Sequence, residues 1–289
     1  MVVDKPEGLT SHDVVNRVRR LANTRKVGHL GTLDPMATGV LPLVLGRATR
    51  LAQFFSGGEK VYDARIHFGW STDTFDREGQ PASEPIEPRF TRADLETVLT
   101  RFRGAFLQTP PPFSAKKIAG TPAYRLARKG APPDLQPVQV HVSELDLLEF
   151  DGVTARIRLR CSAGTYLRGI AHDVGRALGC GAFLTALRRS ASSEFAEDRA
   201  FTLEALGDLA RAGNLREALI PAARVLPEFP NAPVDTFTAG QIRQGKDFRL
   251  SPFVERSGSK YVKALGPGGD LIAIGEVRLP HVYHPILVL

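Results

Sequence analysis

The loop Gly28-His29-Leu30-Gly31-Thr32-Leu33-Asp34-Pro35 carries the side chain with the most chemical promise in this chain, the Asp34 carboxylate. Gly28, Gly31 and Gly39 permit tight turns and close approach of backbone to a ligand. Pro35 drives Asp34 toward an extended conformation. An aspartate is ionised at neutral pH, so it is a nucleophile that requires no activating base. An Asp-Pro pair is also an ordinary turn former that hydrogen-bonds its own backbone. Residue types alone leave both readings open.

Other chemistries lack their residues. His12, His29, His67, His141 and His172 are scattered, with no spacing that suits zinc or iron. The two cysteines, Cys161 and Cys180, cannot frame a zinc site and read as reduced core thiols. No Gly-x-Ser-x-Gly elbow occurs, nor a Gly-x-x-x-x-Gly-Lys-Ser/Thr loop, nor Gly-x-Gly-x-x-Gly after a strand. Serine hydrolysis, nucleotide-driven chemistry and redox chemistry fall away, and no cofactor or metal is expected.

A length of 289 residues suits one large and one small domain. No apolar run approaches the ~20 residues of a membrane span, and the start Met-Val-Val-Asp-Lys-Pro lacks the features of a signal peptide. The expectation is a cytoplasmic protein. The net charge of +7 is unevenly spread. No acidic residue lies between Glu96 and Asp134, where Arg101, Arg103, Lys116, Lys117, Arg125, Arg128 and Lys129 supply seven basic charges. Such a local excess fits a polyanion site or a solvated basic face.

The elements that must position Asp34 follow from patterning. A short strand at Met1–Val3 precedes a helix capped by Thr10 or Ser11, with Val14, Val15, Val18 and Leu21 at helical spacing. Tyr62 to Phe68 alternates like a half-buried strand. Residues 71–90, with prolines and acidic groups, read as an exposed loop. Thr91-Arg92-Ala93-Asp94 opens a helix through a capping box. The stretch from about 105 to 134 is too polar for a core and too long for a simple connection. Val138, Val140 and Val142 mark a strand, and Val153 to Cys161 another, with Arg156, Arg158 and Arg160 on one face. A helix then holds Ile170, Val174 and Leu178, and short helices are expected at Phe183–Leu187 and Thr202–Arg211. Pro227, Pro230 and Pro233 suggest a linker. Beyond it come a short helix near Ala239–Gln244 and strands at Tyr261–Leu265 and Leu271–Leu279.

The segment from Gly28 through Asp34 to Pro42 resembles the catalytic motif of the pseudouridine synthases, and more narrowly of the TruB family. Lys5-Pro6-Glu7-Gly8-Leu9-Thr10-Ser11, Lys60-Val61-Tyr62, and Thr72 through Gly79 resemble further motifs of that family, in its order. So do Gly164-Thr165-Tyr166-Leu167-Arg168 and Leu187-Arg188-Arg189. Ala239 to Leu279 is similar to the family's small PUA-type RNA-binding domain. The family pattern places a few residues before the opening strand, which Met1 almost begins here, and that departure leaves the motifs untouched.

The resemblance implies an enzyme that isomerises uridine 55 in the T-loop of tRNA, without cofactor, as a stand-alone monomer. Asp34 would be the nucleophile, attacking C1′ of the ribose or C6 of the uracil, with Arg168 orienting it. Tyr62 would stack on the uracil and assist proton removal from C5, and Tyr166 and Leu187 would line the pocket. Without the resemblance, Arg168 is another surface arginine, and Tyr62 and Leu187 are core residues. A uridine in a folded loop must leave its stack, and His29 would fill its place. Lys5, Lys116, Lys117, Arg125, Arg128 and Lys129 would bind substrate, the last five from a mobile insert on the T-arm phosphates.

The expected fold is α+β: a mixed, largely antiparallel sheet with helices over residues 1–229, then a small β-barrel-like domain over 230–289. Two other readings compete. A non-catalytic RNA-binding protein on this scaffold would have replaced the aspartate. A synthase directed by guide RNA within a multiprotein particle shares the motifs, and the long basic insert argues against it.

Overall fold

A computed structural model describes residues 1–114, 116–118, 121–123, 126, 135–250 and 259–289. The chain starts in β1 (Val2–Lys5) and enters α1 (Ser11–Leu21) through a capping box, in which Thr10 and Asp13 each satisfy the other's backbone amide. α1 buries Val14, Val15 and Val18. Then come β2 (Val27–His29), β3 (Thr38–Leu45), a 3-10 segment over Gly46–Phe55, and β4 (Lys60–Phe68). α2 (Arg92–Thr100) has the second capping box, between Thr91 and Asp94. After β5 (Gly104–Gln108), Lys117–Ile118 (β6) and Thr121–Pro122 (β7) form a small hairpin. β8 (Val138–Phe150), β9 (Thr154–Cys161), α3 (Leu167–Ala177), β10 (Ala182–Ser192), β11 (Phe195–Ala196) and α4 (Leu203–Arg211) complete the first unit.

Among the described residues these strands form a nine-stranded sheet with the backbone order β1-β3-β10-β4-β9-β8-β5. Only the β10–β3 pair in it is parallel, so the mixed, largely antiparallel α+β class holds. Val14, Val18, Leu41, Ile66, Leu95, Leu159, Ile170 and Val174 belong to one buried cluster joining helices and sheet. No helix among the described residues is long and apolar enough to cross a membrane.

Three expectations are corrected. Phe183–Leu187 is not a helix but part of β10, a central strand between β3 and β4. A bulge between Leu184 and Ala186 breaks its alternation, and a short apolar run does not separate helix from strand by period. Residues 71–90 are not simply exposed, because Ser71, Thr72 and Asp76 are buried. The proline-rich stretch is not a free linker: Leu226 is buried, and Asn231–Pro233 (β12) pairs in parallel with Tyr261–Leu265 (β14). In addition, the first residues expected in the insert, Ala105 to Gln108, lie in β5 at the sheet edge.

The C-terminal part holds α5 (Thr236–Arg243), β13 (Phe248–Arg249), β15 (Leu271–Leu279) and β16 (Val282–Val288). Its sheet runs β12-β14-β15-β16-β13. Among the described residues the pairings follow this single path, and none joins β12 to β13. Leu271, Ile274 and Leu287 pack with Leu51, Phe55 and Phe195 of the first unit.

The three arginines of β9 are not free cations. Arg156 pairs with Glu149 and Asp63, Arg158 with Asp63, and Arg160 with Glu144. Cross-strand ion pairs of this kind neutralise the ladder.

Candidate active site

The loop between β2 and β3 is held at the five successive carbonyls of Gly31 to Pro35. Arg189, fully buried on β10, donates from Nη2 to Gly31 O at 3.1 Å, from Nη1 to Thr32 O at 3.4 Å and from Nε to Val40 O at 2.7 Å. Ser11 Oγ, at the start of α1, donates to Leu33 O at 3.0 Å and accepts from Leu33 N at 2.8 Å. Ala37 N donates to Asp34 O at 3.1 Å. Lys5 Nζ donates to Pro35 O at 3.1 Å, and also to the carbonyls of Pro6 and Leu9. Gly39 has φ +99°, and a Cβ there would lie 2.2 Å from Arg189 O, so only glycine lets β3 meet β10 at this point.

Asp34 projects from this braced loop with its side chain 35% exposed. Arg168, the second residue of α3, donates from Nε to Asp34 Oδ2 at 2.8 Å. Its Nη1 donates to Thr74 O at 2.9 Å and lies 3.5 Å from Asp76 Oδ2, while Nη2 donates to Phe113 O at 3.1 Å. Buried, multiply bonded guanidinium of this kind has little freedom to leave its carboxylate. The loop leading into α3 is fixed by Gln108 of β5. That buried side chain donates to Tyr166 O at 2.9 Å and accepts from Tyr166 N at 2.8 Å.

Beside the ion pair lies a cavity of about 190 Å³, lined by Asp34, Lys60, Tyr62, Tyr166, Arg168 and Leu187 among others. Tyr62 and Leu187 are buried and face it from the neighbouring strands β4 and β10. Burial raises both the Tyr62 and Tyr166 phenols above their ordinary value, so each is a neutral hydroxyl at physiological pH. The lining thus combines a fixed carboxylate and the cations of Lys60 and Arg168 with tyrosine rings and leucine side chains, which suits a flat polar ring attacked from one side.

The remaining residues expected in the site lie elsewhere. His29 sits half-buried on β2, its Nδ1 without a partner, and burial lowers its ring below the ordinary histidine value. It does not line the cavity. Lys5 is fully buried with its three donors on carbonyls, so it braces the loop and has no N–H to offer substrate. Lys116 is half-buried and donates to Gln136 O at 3.4 Å. Lys117 belongs to the β6–β7 hairpin. Arg125, Arg128 and Lys129 lie outside the described residues. No group of three or more His, Cys, Asp or Glu side chains among the described residues is placed to hold a metal ion.

A family model described as TruB family pseudouridylate synthase (N terminal domain) matches residues 19–167. A second, described as tRNA pseudouridylate synthase B C-terminal domain, matches residues 168–227. The chain belongs to the TruB family. As a pseudouridine synthase it is an isomerase. The tRNA pseudouridine synthase B of Solibacter usitatus (strain Ellin6076) is 58% identical over 289 residues, covering 100% of this chain and 99% of that protein. The protein of the same name from Azoarcus sp. (strain BH72) is 41% identical, covering 96% of this chain and 90% of its own length. Among solved structures, a chain of a Cbf5-Nop10-Gar1 complex is similar with TM-score 0.71 and 28% identity, covering 96% of this chain and 78% of that one. A chain of an H/ACA RNP bound to a substrate RNA containing 2′-deoxyuridine gives TM-score 0.70 at 26% identity, with the same coverages.

In this TruB-family chain, motif reading missed four residues that build the site. Asp76 lies within a quoted motif but was not assigned to the pocket, and its place among polar loop residues concealed its burial. Arg189 and Lys60 also lie in quoted motifs. Gln108 has no local signal, because its partner Tyr166 is distant in sequence.

Proposed function

We propose that this chain converts uridine 55 in the T-loop of tRNA to pseudouridine, with Asp34 as the nucleophile. The observation that carries the proposal is the Arg168–Asp34 contact of 2.8 Å at the wall of a cavity containing Tyr62, Tyr166 and Leu187. Arg168 holds the carboxylate in one orientation. Asp34 attacks C1′ or C6, the C1′–N1 bond breaks and the C1′–C5 bond forms, and the proton lost from C5 is balanced by one gained at N1. Tyr62 stacks on the uracil, with Tyr166 and Leu187 against its edges. The cavity is too small for a folded loop, so the uridine is flipped out to enter it. His29, on the strand leading into the catalytic loop, packs where the nucleotide had been.

The basic residues Lys116, Lys117, Arg125, Arg128 and Lys129 contact T-arm phosphates. The C-terminal sheet serves as a PUA-type RNA-binding domain. The enzyme acts alone in the cytoplasm, as a monomer without guide RNA. Support for the stand-alone reading comes from the relative of Solibacter usitatus, matched over nearly its whole length at 58% identity, against 26% and 28% for the chains from the H/ACA RNP and the Cbf5-Nop10-Gar1 complex.

Tritium release from C5-labelled uridine in a tRNA transcript, with protein alone, tests this reading. Release is expected from the wild type and not from Asp34→Ala. Release that survives Asp34→Ala overturns the mechanism, and release only with added guide RNA overturns the stand-alone assignment.

A further inference from the structure

Among the described residues, Lys5, Lys60, Arg168 and Arg189 lie against the Asp34 loop, and three of them are fully engaged. Arg168 bonds Asp34 and the carbonyls of Thr74 and Phe113. Arg189 holds the carbonyls of Gly31, Thr32 and Val40. Lys5 holds those of Pro6, Leu9 and Pro35. Lys60 differs. It lines the cavity with Asp34 and is half-buried, yet its ammonium has no hydrogen bond or ion pair among the described residues.

Its position is built rather than incidental. Lys60 precedes Tyr62 by two residues on β4, so both side chains leave the same face about 7 Å apart. The tip of Lys60 lies against Gly31, where a Cβ would stand 3.3 Å from both Cε and Nζ. Burial, together with the nearby Arg189 guanidinium, pushes the ammonium below the ordinary lysine value. A half-buried cation that has no protein partner and faces a cavity is poised to receive an anion there.

Both routes open to Asp34 create such an anion. Attack at C1′ forms an Asp34 O–C1′ bond and breaks C1′–N1. The bonding pair leaves on the uracil, spread over N1, O2 and O4. Attack at C6 instead forms an O–C6 bond and moves the C5=C6 electron pair through C4 onto O4. In either case one negative charge passes from the carboxylate to a pyrimidine carbonyl oxygen, and no proton moves. We propose that Lys60 is a further catalytic residue, whose ammonium donates to the uracil carbonyl oxygen on which that charge develops. The proposal rests on the reading of Asp34 as nucleophile. Its energetic logic is that of an oxyanion donor, favourable in the transition state more than in the bound substrate.

Lys60→Met tests it in single-turnover isomerisation of a tRNA transcript at saturating enzyme, beside filter binding of the same transcript. The expected result is a rate lower by about a hundred- to a thousand-fold, with the dissociation constant and its salt dependence unchanged. Lys60→Arg, which keeps a cation, is expected to recover most of the loss. An unchanged saturating rate overturns the proposal. So does a defect confined to binding and its salt dependence, which would make Lys60 a phosphate contact. The side chain has no hydrogen bond to lose, so the melting temperature should hold; if Lys60→Met fails to fold, Lys60→Gln carries the same test. Asp34→Ala in the same assay separates the two readings. An inactive Asp34→Ala with a full-rate Lys60→Met removes only the role of Lys60, whereas an active Asp34→Ala removes the nucleophile.

Discussion

Arg168 reaches Asp34 with one edge of its guanidinium and Asp76 with the other: Nε is 2.8 Å from Asp34 Oδ2, and Nη1 is 3.5 Å from Asp76 Oδ2. The two carboxylates are not equivalent. Asp76 is 5% exposed, like Arg168, and its Oδ1 accepts from Thr74 Oγ1 at 2.6 Å and Glu78 N at 3.0 Å. Asp34 is 35% exposed and opens on the cavity. Asp76 therefore anchors the guanidinium, and Arg168 presents Asp34.

Asp76→Asn should separate anchoring from chemistry. The amide can keep its Oδ1 contacts, but its NH2 group then opposes the Nη1 donor. Turnover should fall by about ten- to a hundred-fold, because the arginine no longer fixes the carboxylate to within an ångström. Affinity for tRNA should be unchanged. A variant with wild-type turnover in the tritium-release assay would show that Thr74 O and Phe113 O suffice to hold Arg168.

The junction of β3 and β10 predicts a contrast between two glycines. Gly39→Ala forces a Cβ to within 2.2 Å of Arg189 O at a φ of +99°. The two strands must separate where Arg189 supports the loop, so unfolding free energy should fall by at least about 3 kcal/mol. Gly164 has a φ of +85° with open space around it. Gly164→Ala should lose only about 1 kcal/mol of backbone preference. Urea unfolding of the two variants checks this, and equal losses would mean that the close approach is relieved elsewhere.

The Asp34 loop is legible in sequence because its requirements are local: glycines for close approach, a proline after the aspartate, and a capped helix nearby. Arg168, Tyr62, Tyr166 and Leu187 were assigned through motifs, and the fold brings all four to one cavity with Asp34. What supports them was not legible. Gln108 meets Tyr166 only because β5 forms the sheet edge beside α3, and nothing in a lone glutamine announces that register. The strand β10 was misread because a buried central strand, broken by a bulge, has no clean period of two. Lys5 was grouped with substrate contacts because a motif lysine gives no sign that its donors will be engaged by backbone.

Gln108 offers a test of that hidden support. Its two hydrogen bonds form a fork on the Tyr166 backbone immediately before α3. Gln108→Leu would leave Tyr166 N without a partner in a partly buried place, while Tyr166 O keeps Ile170 N, at a cost of about 1–3 kcal/mol in unfolding free energy. The start of α3 carries Arg168, so the variant should also lose turnover at temperatures where it remains folded. Loss of stability with full turnover would show that α3 is positioned by its packing alone.

Lys5 makes the remaining prediction, through its proton. Burial is the dominant influence and lowers the ammonium from 10.5 to about 8, against the opposing attraction of Asp34. Between those two values the unfolded chain holds the proton more tightly than the folded one. Unfolding free energy contributed by Lys5 therefore rises with pH across that interval and is lowest below about pH 8. The neutral amine retains two N–H groups for the carbonyls of Pro6, Leu9 and Pro35, so the loop keeps most of its brace. Lys5→Met removes the ionisation altogether. The difference in unfolding free energy, wild type minus variant, should increase from about pH 7 to about pH 10. Urea titrations at intervals across that range measure it, and a flat or falling difference would mean that Lys5 keeps its ordinary proton affinity in the fold.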